Sequence, residues 1–361
     1  MNEDKLLKQM LKRDPVRGAA ATRRQVLQGI GAGALALGAG SALTGRAQAA
    51  DNLAMLTWDG YVDPRVLDGF TDQYGTGIDY ELHTSDPDSV NKLHDVAGGL
   101  IVELDRARFD PYFEAMLPMF QPPYKWAMSL DNEHLLGVCQ RVDTFDFVVN
   151  TDIVSADMAK DEGWDLFNNP DMAGRYGILA YDNWNIMHIC MAAGLHPFKE
   201  KTDDQMVSDD FVAVNLAVVN GEIDMYFGGG TYSISSARLD GLTNLYHVVP
   251  KSGPADGKGG INWIELNSVV NNPDLHPQAM DWMEYILQPD TSYAVATAGG
   301  FLLPVGQMAQ PELLDKFSAE ELDSFQWDEF DYRISHSVEF DVVPDYNRLY
   351  DIYTAARREK S

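Results

Sequence analysis

The sequence predicts an α/β protein of two lobes. Three observations carry that expectation. Apolar strand-like runs alternate with amphipathic helix-like ones, no segment repeats with a period of roughly 20–50 residues, and 361 residues, 45% of them hydrophobic, can fill more than one core.

The alternation holds element by element. Leu53–Thr57 is an apolar run broken at Asp59-Gly60, and from Pro64 the spacing of Val66, Leu67 and Phe70 predicts a helix. A second strand is expected over Ile78–Leu82. Apolar segments near Leu135–Val138 and Phe145–Asn150 adjoin an amphipathic piece near Met158–Trp164, and a strand over Tyr176–Tyr181 leads into an apolar helix over Trp184–Ala193. Phe211–Val219 reads as a helix ending at Asn220-Gly221, followed by a buried strand, Ile223–Phe227, that opens into Gly228-Gly229-Gly230. Strands follow at Leu245–Pro250 and Ile261–Val270. Pro277–Leu287 carries Ala279, Met280, Met283 and Ile286 on one helical stripe, and the tail is helical from about Tyr346.

The first 49 residues differ from the rest. A basic stretch precedes Thr22-Arg23-Arg24-Gln25-Val26-Leu27, a Gly/Ala/Leu run from Gly29 to Leu43, and Ala47-Gln48-Ala49, which together read as an export signal of the twin-arginine type, cleaved near Ala49. The apolar run is too short and too rich in glycine for a spanning helix, which needs about 20 apolar residues. The expected destination is the periplasm. Within this segment Lys5, Lys8, Lys12, Arg13, Arg17, Arg23, Arg24 and Arg46 stand against Glu3, Asp4 and Asp14, a surplus of five positive charges. Cleavage therefore changes the formal charge from −28 to −33.

Such a surface repels nucleic acid and anionic lipid and speeds the encounter with cations; solubility in a salty habitat is the competing explanation. The two cysteines, Cys139 and Cys190, form a disulfide only if folding brings their Cα atoms within reach, which the sequence leaves open.

The chemistry-bearing motifs pair aromatic rings with acids at strand ends. Asp59 follows Trp58 and precedes Gly60-Tyr61 where open α/β sheets place contact loops, although Trp58 as core and Asp59 as a helix cap explain the same residues. An ammonium leaving water needs a carboxylate partner and gains from an aromatic face. Ile261-Asn262-Trp263-Ile264-Glu265 repeats the theme, with Trp263 and Glu265 on one face of a strand, and Tyr181-Asp182-Asn183-Trp184-Asn185 gives a third instance in which Asp182 can equally be an N-cap.

The glycines after Phe227 lack the lysine of a phosphate loop and the GxGxxG spacing. GxSxG and HExxH motifs are missing, and the eight histidines are scattered, His188 reading as a core residue. The expectation is a binding protein, not an enzyme, with no cofactor and no bound metal.

Taken in order, Trp58-Asp59-Gly60-Tyr61, Gly221-Glu222-Ile223-Asp224-Met225-Tyr226-Phe227 and Gly259-Gly260-Ile261-Asn262-Trp263-Ile264-Glu265 resemble the spermidine/putrescine-binding family of periplasmic proteins, over about Leu53 to Pro311. That resemblance implies a type II periplasmic-binding-protein fold, with a cleft between two lobes that closes on a ligand by a hinge. Residues 50–150 with about 271–361 would form the first lobe and 151–270 the second. It further implies Trp58 and Tyr61 packing on the ligand, Asp182 and Glu265 holding ammonium groups, and Phe227 and Trp263 walling the methylene chain.

Asn185 falls where the family often has an acid, so a shorter diamine, a monoamine or a quaternary amine becomes as plausible a ligand as spermidine. The segments after Asn91 and Lys201 are shorter than the family pattern. The implied partners are a small cationic solute and an inner-membrane ABC permease, with no nucleic acid, and the implied state is a monomer. The alternatives are a receptor of the same architecture for ferric iron, a betaine or an amino-acid-like solute, and, more distantly, an exported enzyme.

Overall fold

The structure is a computed structural model that describes residues 52–82, 100–121, 124–129, 131–172, 174–178, 182–200, 224–344 and 346–360. The export-type segment, the stretch after Asn91, Tyr181, and the helix expected over 211–219 lie outside the described residues.

Strand β1 (Asn52–Thr57) pairs in parallel with β2 (Gly77–Leu82), from Asn52↔Gly77 to Thr57↔Leu82. A parallel pair needs a crossover, and helix α1 (Pro64–Tyr74) supplies it. The Asp63 side chain accepts from Arg65 N at 2.9 Å, Pro64 sits in the first turn, and Gly75 ends the helix at φ 71°, a conformation that costs glycine nothing. Val66 and Phe70, one turn apart, are fully buried, and the Phe70 ring meets Trp282 at 5.2 Å and Tyr285 at 5.4 Å. Burying such a phenyl ring contributes roughly 2–3 kcal/mol.

Helix α2 (Arg106–Glu114) adds Phe109 and Phe113 to this first core, which also takes Trp282, Met283 and Tyr285 from α6 (Ala279–Tyr285) and Val295 from α7 (Pro289–Ala296).

Two further sheets follow. Strands β3 (Val138–Thr144), β8 (Gly260–Asn267) and β9 (Ser337–Glu339) form one, with β8 antiparallel to β3 and parallel to β9. Strands β5 (Tyr176–Ile178), β6 (Met225–Gly229), β4 (Asp146–Asn150) and β7 (Leu245–Val248) form the other, in that order. A single residue, Phe145, separates β3 from β4, so the chain passes from one sheet to the next there, and its N–H donates to Ile261 O at 3.0 Å.

The second core packs on the four-stranded sheet: Phe147, Trp164, Phe167 and Phe227, closed by Met187 and Met191 of α4 (Asp182–Ala192). Helix α3 (Ala156–Glu162) is capped by Ser155 Oγ, which accepts from Met158 N. Helix α5 (Thr231–Leu239) starts at the glycine loop after β6. A third cluster, Leu302, Met308, Leu313, Phe317 and Phe325, is closed by α8 (Pro311–Leu314) and α9 (Ala319–Ser324). Helices α10 (Phe330–Ser335) and α11 (Tyr346–Lys360) complete the chain. Among the described residues no helix is long and apolar enough to cross a membrane.

The strand expected from Leu135 begins at Val138 and runs through Gln140, Arg141 and Asp143, all buried. The expected Ile261–Val270 strand ends at Asn267. Cys139 and Cys190 are both buried, in separate parts of the molecule, and no disulfide joins them.

Candidate functional site

Strand β8 is where the sequence motifs meet. Alternation along a strand projects Trp263 and Glu265 from the same face. Three hydrogen bonds hold Glu265. Arg141 of β3 donates from Nε to Oε2 and from Nη2 to Oε1, each at 2.7 Å, a bidentate pair whose side chains are 8% and 16% exposed. Tyr61 donates its hydroxyl to Glu265 Oε2 at 3.2 Å and accepts from Asn267 Nδ2 at 2.9 Å.

Tyr61 arrives from the short 3-10 turn over Asp59–Val62 that follows β1, and its ring lies 5.3 Å from the Arg141 guanidinium carbon. A Cβ at position 60 would collide with Arg141 Nη1, so Gly60 lets the guanidinium approach the turn. Burial opposes charge on Arg141, but Glu265 outweighs it and holds the guanidinium's pKa above its ordinary value. Burial, and then the Glu265 charge, push the Tyr61 hydroxyl well above the usual tyrosine range.

The Trp263 end is aromatic. The Tyr232 ring, at the start of α5, lies 6.2 Å from Trp263 at 78° and 6.0 Å from Trp184 at 80°. Trp184, in the first turn of α4, stacks on Phe145 at 4.7 Å and 18°. The Tyr232 hydroxyl donates to Gly228 O at 2.7 Å, which fixes its ring to the glycine loop. All three outer rings are half-buried.

The sequence-predicted residues therefore divide. Tyr61 is hydrogen-bonded to Glu265, Trp263 shares the Glu265 side of β8, and Asp59 lies in the Tyr61 turn, with Trp58 half-buried against the first core. The Glu265 carboxylate, read as an ammonium holder, has both oxygens engaged by Arg141. Phe227, read as a ligand wall, is 1% exposed, because β6 is an interior strand of its sheet; its ring meets Phe167 at 5.2 Å and His188 at 6.2 Å. Asn185 is fully buried and donates from Nδ2 to Tyr353 Oη at 3.3 Å, since α4 is apolar on nearly every side. Asp182 opens α4, and its side chain lies outside the described residues. Asp59 is exposed and has no ion-pair partner among the described residues.

Sequence reasoning missed Arg141, Asn267 and Tyr232. Tyr232 has a visible signal, an aromatic residue directly after the glycine loop. Arg141 has none.

Beneath the site, the crossover at Phe145 carries buried charge. Asp143 accepts from Thr231 N at 3.1 Å, from the Thr231 hydroxyl, and from Arg333 Nη2 at 3.3 Å. Asp146 Oδ1 accepts from Ile261 N at 3.1 Å, and its Oδ2 lies 3.4 Å from His247 Nε2. Burial pushes both carboxyl groups up, Asp143 partly rescued by Arg333 and Thr231, Asp146 well above the usual range. His188 hydrogen-bonds Phe145 O at 2.9 Å, and burial lowers it to about 4 despite that bond.

A separate cavity of ≈ 620 Å³ is lined by Lys125, Phe198, Lys199, Lys258, Glu339 and their neighbours. Its lysines are already occupied: Lys125 pairs with Glu339, Lys199 with Asp256, and Lys258 donates to Ser337 O at 3.0 Å. None of the sequence-predicted site residues lines it.

No protein-family model matches the sequence, and no curated protein is similar to it. Solved structures are. A protein of Listeria monocytogenes named for a proposed spermidine/putrescine ABC transporter superposes with a TM-score of 0.60 at 14% identity, covering 85% of this chain and 100% of that one. The substrate-binding protein of a spermidine/putrescine ABC transporter from Streptococcus pneumoniae gives 0.58 at 15%, over 86% and 99%. A lipoprotein of Treponema pallidum gives 0.58 at 13%, over 85% and 99%. At these identities the likeness shows the fold: this chain has the α/β periplasmic-binding-protein fold, as the sequence led us to expect.

Proposed function

We propose that this chain is the solute-binding protein of an ABC importer, exported by its N-terminal segment and capturing a small organic cation for a membrane permease. The observation that carries the reading is the strip along β8. Segments more than 200 residues apart, the turn holding Asp59 and Tyr61 and the strand holding Trp263 and Glu265, meet there, and Tyr232 and Trp184 extend the strip with aromatic faces. The fold supports the reading, and so do its structural neighbours, one of which is a spermidine/putrescine substrate-binding protein.

The division of labour follows from physics. A formal charge of −28, or −33 once the export segment is removed, concentrates cations near the surface and raises the encounter rate. Half-buried rings cover apolar carbon and attract positive charge through their faces. Asp59 supplies a solvated carboxylate at the rim. The Arg141–Glu265 pair, with Tyr61 and Asn267, ties the turn after β1 to β3 and β8 and so fixes the floor on which the ligand rests. Binding energy then shifts a population of open and closed lobes, residues 50–150 with about 271–361 against 151–270, and the permease reads the closed form. The protein acts as a monomer and leaves its ligand chemically unchanged.

A thermal-shift screen tests this. The purified chain is melted with putrescine, spermidine, cadaverine, choline and betaines, with amino acids and ferric citrate as controls. A rise of several degrees with an amine supports the reading, because a ligand that binds only the folded state stabilises it by mass action. A flat response to every amine overturns it.

A further inference from the structure

Resting on that receptor reading, we infer that Trp184, Tyr232 and Trp263 form a cage for a quaternary ammonium group, and that the solute carries a single positive charge and an oxygen acceptor beside it rather than the several primary ammonium groups of a polyamine.

Three observations lead there. The first is charge. A polyamine needs a carboxylate at each end, but both oxygens of Glu265 are held by Arg141 at 2.7 Å, and Asn185 is buried against Tyr353. Among the described side chains of the strip this leaves Asp59 as the uncommitted acid.

The second is shape. Tyr232 stands nearly perpendicular to Trp184 and to Trp263, at 80° and 78°, with centroids 6.0 and 6.2 Å away, so both indoles meet its ring at near right angles. The rings are preset: Trp184 stacks on Phe145, and the Tyr232 hydroxyl is bonded to Gly228 O. A primary ammonium brings three N–H donors that ring faces satisfy poorly, whereas a quaternary ammonium has none and is attracted by ring faces directly. The third is an unmet donor. The indole Nε1 of Trp263, on one of the cage's own rings, is buried without a hydrogen-bond partner among the described residues, a donor that a hydroxyl or carboxylate oxygen of the same solute would satisfy.

Calorimetric titration of the purified chain with tetramethylammonium, choline, glycine betaine, putrescine and spermidine tests the assignment. The expected result is saturable binding of choline or glycine betaine, weaker binding of tetramethylammonium, which lacks the oxygen, and none of the diamines and polyamines. Trp263→Leu and Tyr232→Leu each weaken binding by about tenfold or more, while Tyr232→Phe, which keeps the ring, retains it. Should a leucine variant fail to fold, Trp263→Phe replaces it: an aromatic face is kept, the N–H is not, and choline falls to the affinity of tetramethylammonium.

Tight binding of putrescine or spermidine with no response to quaternary amines overturns the cage while leaving the receptor reading intact. Binding of a quaternary amine that survives both leucine substitutions also overturns it. Silence toward all five solutes overturns the cage and the cation-receptor reading together.

Discussion

Truncating Glu265 to alanine separates two roles that the sequence alone confuses. In the structure Glu265 and Arg141 form a bidentate pair with side chains 16% and 8% exposed, and Tyr61 closes the network. Removing one partner of a buried pair leaves an uncompensated charge, which costs about 3–5 kcal/mol. At roughly 2 °C per kcal/mol for a chain of this size, Glu265→Ala lowers the melting temperature by about 6–10 °C. The double variant Arg141→Met/Glu265→Leu removes both charges and recovers most of that loss, because the desolvation of two ions disappears with their attraction.

The assay is chemical denaturation of the wild type, both single variants and the double variant, read as a coupling energy of about 2 kcal/mol or more. Because the pair is shielded from solvent, the coupling persists at high salt. If Glu265→Ala loses less than 1 kcal/mol and shows no coupling to Arg141, the carboxylate is not committed to the guanidinium, and its availability to a ligand is restored.

Other consequences follow from the interior. His188 titrates near 4 when folded and near 6.5 when unfolded, so below pH 6.5 the unfolded chain binds the extra proton; stability falls between pH 6.5 and 4, by about 3 kcal/mol, and equilibrium unfolding across that range shows a smaller drop in His188→Gln. Gly230→Ala drives a Cβ into Thr144 O and the Tyr232 ring at the start of α5, costing about 1–3 kcal/mol and weakening ligand binding, measured by melting and titration. Because no disulfide joins Cys139 and Cys190, alkylation after unfolding without reductant labels two thiols per chain, and reductant leaves the melting temperature unchanged.

The parts of the fold legible in the sequence are those whose pattern is local. Helix α1 has its own cap in Asp63, its apolar spacing at Val66 and Phe70 and its stop at Gly75, and β1, β4 and β7 are apolar runs between turn residues. Strand β3 was not legible beyond Val138, because Gln140, Arg141, Asp143 and Thr144 read as polar chain. They are buried because partners far along the sequence satisfy them: Ile286 O accepts from Gln140, Glu265 holds Arg141, and Thr231 and Arg333 hold Asp143. Likewise the three-residue strand β9 is too short to show a period.

The site was half legible for the same reason. Aromatic–acid motifs at Trp58-Asp59 and Trp263-Glu265 flag themselves, but whether an acid is free or already paired depends on Arg141, 124 residues away. Phe227 and Asn185 sit in motifs of suggestive composition, and only the sheet order and the buried sides of α4 reveal that they face inward.

The most direct test of the central claim is equilibrium dialysis of the purified chain against a mixture of small organic cations, followed by mass analysis of what the protein retains. One cation per chain is expected, recovered chemically unchanged after the protein is denatured. Retention of no cation, or recovery of an altered one, contradicts it.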